Sequence, residues 1–102
     1  MAPSCSLDEV DARMQLDRYR QVGRGARLVG RSRRRLVVDF ERSVDVQLVE
    51  VAIATERDCC PFFSLDWEPD RLRLTVSVSE TADEPALDAI AFALDVEPAP
   101  SN

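Results

Sequence analysis

From Arg71 to Ser79 the chain alternates without a break. Leu72, Leu74, Val76 and Val78 fall on one side, and Arg71, Arg73, Thr75, Ser77 and Ser79 on the other. Side chains on a strand have a period of two, so this segment reads as a strand with one apolar and one polar face. Such a strand belongs to a sheet packed on one side and wet on the other, the habit of antiparallel sheets. The rest of the chain must supply partner strands and a cover for the apolar face.

Local patterns supply both. A first helix is expected from Leu7 or Asp8 to Gln21, capped by Ser6 with Glu9 completing a capping box. Its apolar side is Leu7, Val10, Met14 and Tyr19, with Leu16 beside it, and Gly23 and Gly25 end it. Ala26 to Gly30 and Arg35 to Phe40 read as strands of a hairpin, joined by the polar turn Arg31-Ser32-Arg33-Arg34. A second helix is expected from Val44 to Asp58, capped by Ser43, with Leu48, Val51, Ala52 and Thr55 as its stripe. Pro61 disfavours helical geometry at Cys60, so this helix stops near Cys59. Phe62 to Trp67 is the third strand, and Glu68-Pro69-Asp70 turns it into the alternating fourth. A third helix runs from Asp83 to Leu94, with Thr81 or Asp83 as cap, Pro85 in its first turn and Leu87, Ile90, Ala91 and Leu94 as its apolar side.

The element order is therefore α-β-β-α-β-β-α, an α+β fold in two layers. Its sheet is four-stranded and mainly antiparallel, with helices on one face. The expected boundaries are a flexible tail over residues 1–6, a single domain over 7–95 and a disordered tail over 96–102. A length of 102 residues with 45% hydrophobic content suits one core. No apolar run approaches the length of a membrane span. Met1-Ala2-Pro3-Ser4-Cys5, leading into Asp8-Glu9, does not read as a secretory signal, so a cytoplasmic setting with reduced cysteines is expected.

Histidine is absent. That excludes a Ser-His-Asp triad, a Cys-His pair and a two-Cys, two-His zinc site. No pair of carboxylates stands out for acid–base work, so a non-enzymatic role is expected. All 13 basic residues are Arg, and seven of them (Arg20, Arg24, Arg27, Arg31, Arg33, Arg34 and Arg35) lie between Arg20 and Arg35. A basic hairpin suggests phosphate contacts, but the net charge of −6 and the lack of a reading helix weigh against nucleic acid. Homodimerisation through a sheet face carrying Trp67 or Phe63 is a further expectation.

The chemistry concentrates in Glu56-Arg57-Asp58-Cys59-Cys60-Pro61-Phe62-Phe63. Two adjacent thiols at the end of a helix trap soft ions such as mercury, arsenite, zinc or cuprous copper. Neighbouring helical residues diverge, and the break at Pro61 relieves that divergence. Glu56 lies three and four residues before the cysteines and can share their face as an oxygen ligand or proton acceptor. Cys5 supplies a third sulfur if its segment folds back. The candidate metal ligands are thus Cys59, Cys60, Glu56 and Cys5. The alternatives are a thiol redox sensor, with Cys5 as resolving thiol, and buried structural cysteines in a dimerising protein.

This segment, with the strand Leu72-Arg73-Leu74-Thr75-Val76 after it, resembles a family of small actinobacterial proteins. They carry a Glu-Arg-x-Cys-Cys-x-Phe signature between an amphipathic helix and a β-hairpin. Glu56, Arg57, Cys59, Cys60 and Phe62 match it, and Cys5 lies outside it. Some members of that family sit near genes for mercury or arsenic handling, so the resemblance implies a heavy-metal role.

Overall fold

The computed structural model describes residues 9–96. Cys5, the expected Ser6 cap and the tail residues other than Val96 lie outside them. The elements are α1 (Glu9–Val22), β1 (Arg27–Arg31), β2 (Arg35–Asp39), α2 (Val46–Cys59), β3 (Ser64–Glu68), β4 (Arg73–Ser77) and α3 (Glu84–Leu94), with a 3-10 turn at Thr81–Asp83 before α3. The four strands form one sheet in the order β1-β2-β4-β3, and every neighbouring pair is antiparallel. Two hairpins therefore meet along their inner strands, each preceded by its own helix.

The alternation that opened the sequence sets the core. Leu36 and Val38 of β2 pair with Val76 and Leu74 of β4, and all four are fully buried beside Leu65, Leu87 and Leu94. The helices cover this face: α2 meets β3, α3 meets β2, and α1 packs against both α2 and α3. The opposite face carries charge. Arg27, Asp39, Arg73 and Glu68 stand in register across the four strands. Arg73 grips Asp39 with two hydrogen bonds, at 2.7 and 3.0 Å. That bond holds the Asp39 carboxyl below its ordinary range, against a smaller opposing effect of burial.

Several local expectations shift. Strand β4 begins at Arg73 because Leu72 takes a left-handed turn conformation with φ 54°. Helix α2 is capped by Asp45, whose side chain accepts from the Leu48 N–H at 3.1 Å, and not by Ser43. Its buried face is Val49, Ala52, Ile53, Glu56 and Cys59, and Val51 is exposed. Apolar residues surround most of α2, so their spacing alone does not choose a face. In α1 the buried residues are Gln15, Tyr19 and Val22, and Val10, Met14 and Leu16 are exposed. The spacing of four and three is helical, but a Gln on it escapes any hydrophobic pattern. Gly23 follows α1 where Leu94 of α3 comes close: a Cβ there would lie 2.2 Å from the Leu94 carbonyl oxygen.

The basic hairpin is largely neutralised by the fold. Arg27 meets Asp39, Arg31 meets Asp88 at 2.7 Å, and Arg34 meets Glu84. Arg20 stacks over the Phe92 ring at 5.0 Å. Among the described residues no helix is long and apolar enough to cross a membrane.

Candidate metal centre

Helix α2 ends at Cys59, and Cys60 is its C-cap with φ −131° and ψ 72°. Cys60 has thus left the helical region, which Pro61 disfavours in the residue before it, although its ψ falls short of the extended range usual there. Cys60 still donates its backbone N–H to the Glu56 carbonyl at 2.8 Å, so the last turn stays closed while its side chain leaves the helical path. The result brings both sulfurs to one place. Cys59 Sγ and Cys60 Sγ are 3.3 Å apart.

Glu56, one helical turn earlier, joins them. One carboxylate oxygen and the two sulfurs all lie within 4.8 Å of one another. Two sulfurs at about 2.3 Å from a common ion are separated by at most about 4.6 Å, so the pair is already spaced for chelation. The three residues are buried: Glu56 is 6% exposed, Cys59 4% and Cys60 3%. They form a candidate metal-binding site of two soft donors and one hard donor.

The surroundings of Glu56 fit such an ion. Its Oε1 accepts from Tyr19 Oη at 2.5 Å and from Gln15 Nε2 at 3.2 Å. Gln15 Nε2 also donates to the Ala52 carbonyl at 2.8 Å, and Arg18 holds the Gln15 amide oxygen at 2.9 Å. Burial keeps the Tyr19 phenol protonated well above its ordinary range, and the Glu56 charge adds to this. Tyr19 is therefore a fixed donor. Among the described residues no cation forms an ion pair with Glu56. Arg57, one residue on, donates to the Leu65 carbonyl at 2.6 Å. A buried carboxylate served by neutral donors is costly unless positive charge arrives from elsewhere, and a bound cation provides it.

The structure thus brings together Glu56, Cys59 and Cys60, as their spacing suggested. Cys5 lies outside the described residues. Gln15 and Tyr19 were not anticipated as site residues, and their signal was the helical spacing Gln15-Tyr19-Val22 against the Ala52-Glu56 step of α2. Trp67 packs edge-on against Phe40 at 5.9 Å, its indole N–H 3.4 Å from Glu50, and Phe63 is buried. Neither builds an exposed apolar face. The vicinal cysteine pair in a Glu/Arg-bearing segment stands on the chain's own geometry: the family models, the curated proteins and the solved structures compared with this chain gave no match.

Proposed function

We propose that this protein binds one soft metal or metalloid ion, without catalysis, through Cys59, Cys60 and Glu56 in the reduced state. The observation that carries the proposal is the convergence of the two sulfurs and a Glu56 oxygen within 4.8 Å of one another in a buried site. Thiolates select mercuric ion, arsenite or cuprous copper over hard cations, with zinc as the borderline case. The ion itself drives deprotonation of the thiols, so no depressed thiol acidity is required. Cys5 is proposed as a third sulfur donated from the segment before α1. A reducing cytoplasm is the setting in which such a pair stays ready. Resemblance of this segment to small proteins found near heavy-metal genes points the same way.

The test is native mass spectrometry of the reduced protein, titrated separately with mercuric ion, arsenite and zinc. One ion per chain is expected, lost in the Cys59→Ser/Cys60→Ser double variant. Loss in Cys5→Ser as well assigns the third sulfur. No stoichiometric binding to the wild type refutes the proposal. The 3.3 Å contact between the sulfurs favours one other role, a thiol redox sensor. Its mark is formation of a Cys59–Cys60 disulfide under mild oxidation, read by peptide mapping.

A further inference from the structure

Between α1, α3 and the α2–β3 connection lies a cleft of about 250 Å³. Most of its wall is hydrocarbon: alanines of α1 and α3, and Phe62 and Phe63, whose ring centroids are 4.5 Å apart. The lining holds one carboxylate, Glu56, and no basic side chain. Glu56 is buried. Tyr19 and Gln15, which also line the cleft, both donate to its Oε1 and neither donates to Oε2. The Tyr19 proton is spent on that bond, so the phenol oxygen keeps lone pairs to offer a guest. The cleft thus sets a negative charge and a phenol acceptor against a hydrocarbon wall.

Each part of the wall narrows the guest. A purely hydrocarbon guest would cover Glu56 and deepen the burial of a carboxylate that no cation answers. An anion would be repelled. A hard, hydrated cation would answer the carboxylate but lose its water against alanine and phenylalanine. An ammonium group on a hydrocarbon body suits both parts. We infer that the cleft binds a primary arylalkylamine, with its ammonium on Glu56 Oε2 and Tyr19 Oη and its ring between α1 and α3. A cavity of about 150 Å³ holds benzene, so this cleft, at about 250 Å³, takes a ring and a short tether. Alanines make that room, because larger side chains at Ala12 or Ala89 would fill it. The site shares Glu56 with the metal centre but uses neither sulfur, so it is the same whether Cys59 and Cys60 carry thiols or a disulfide.

The experiment is isothermal titration of the wild-type protein at neutral pH, with a chelator present, using 2-phenylethylamine and 2-phenylethanol. The two guests share a carbon skeleton and differ in charge. One amine per chain is expected, bound about tenfold or more tighter than the alcohol, the return of one charge-assisted hydrogen bond. Glu56→Gln should abolish that preference. Ala89→Trp, at an exposed α3 position lining the cleft, should abolish binding of both guests. Circular dichroism melts establish that each variant is folded. Ala12→Trp on the facing helix serves if Ala89→Trp is not, and the amine-to-alcohol ratio of the wild type decides without any variant. No amine binding by the wild type, equal affinity for the two guests, or a preference that survives in Glu56→Gln overturns the inference. The chelator removes any ion, so none of these results bears on ion binding, which its own titration decides.

Discussion

Replacing Glu56 by Gln keeps the shape of the side chain and removes its charge, which separates two roles of the carboxylate. In the metal-free protein Glu56 Oε1 takes hydrogen bonds from Tyr19 at 2.5 Å and Gln15 at 3.2 Å, and the residue is 6% exposed. Burying an ionised carboxylate costs several kcal/mol, and two charge-assisted bonds return about 1.5–3 kcal/mol each. A buried amide costs about 1–3 kcal/mol, and two neutral bonds return about 0.5–1.5 kcal/mol each. The two balances nearly match, so urea denaturation should place metal-free Glu56→Gln within about 1 kcal/mol of wild type. Ion binding behaves differently. A unit charge about 4 Å from a cation contributes about 4 kcal/mol at an effective dielectric near 20. Part of that is returned because the variant no longer desolvates a carboxylate, leaving about 1.5–3 kcal/mol, or roughly ten- to 150-fold in affinity. Zinc and mercuric ion should lose that much. Arsenite, which binds as neutral arsenous acid, should lose less than tenfold. The assay is competition titration of the reduced protein with each ion. Unchanged divalent affinity would show that Glu56 is no ligand. A metal-free destabilisation above about 3 kcal/mol would show that its charge is structural, and the cation-balance argument would then fail.

Three further outcomes follow from the neighbouring contacts. Tyr19→Phe removes the shorter of the two bonds to Glu56 and should cost about 1–3 kcal/mol at neutral pH by denaturant titration. Because the folded protein holds the Tyr19 proton above its unfolded value near 10, wild-type stability is full below that pH and falls as pH rises past it; the variant should lose that alkaline slope. Asp39 shows the opposite sign. Its folded carboxyl lies below the unfolded value, so the stability it contributes is present above that value and is lost as pH falls through the folded one, and Asp39→Asn should flatten the acid limb of a pH-dependent melt. Gly23→Ala places a Cβ 2.2 Å from the Leu94 carbonyl oxygen, and calorimetry should show about 1–3 kcal/mol lost as α1 and α3 are forced apart.

The fold was readable where one physical rule acted alone. Strand alternation placed Leu74, Val76 and Val78 inward, and the α3 stripe placed Leu87, Ile90, Ala91 and Leu94 inward; all seven are buried. Reading failed where several faces were equally apolar or where a polar residue was buried. Helix α2 offered apolar side chains nearly all round, and the choice fell on the face that carries Glu56 and Cys59. Helix α1 exposed Val10 and Met14 and buried Gln15, because the Gln15 amide answers both the Ala52 carbonyl and the Glu56 carboxylate. That preference is written in α2, not in α1, so no pattern within α1 reveals it.

The same coupling explains why the centre sits where it does. A helix C-terminus repels anions, since its last carbonyls carry partial negative charge. Two cysteines and a glutamate there would be a poor site for anionic ligands and a poor place to store thiolate. For a soft cation or a neutral metalloid the situation reverses. The carbonyl ends, the Glu56 carboxylate and the sulfurs then all favour the incoming centre, and Pro61 has already bent the chain so that both sulfurs face it. Tyr19 and Gln15 hold the carboxylate in place from the neighbouring helix by neutral hydrogen bonds, which leaves its charge for the guest. In this arrangement electrostatics that disfavour a reactive thiolate favour a metal-holding one. The two behaviours separate in alkylation experiments on the reduced, folded protein: Cys59 and Cys60 should react slowly with iodoacetamide, yet be protected further by stoichiometric arsenite. Rapid native-state alkylation unaffected by arsenite would place the cysteines in a reactive role instead.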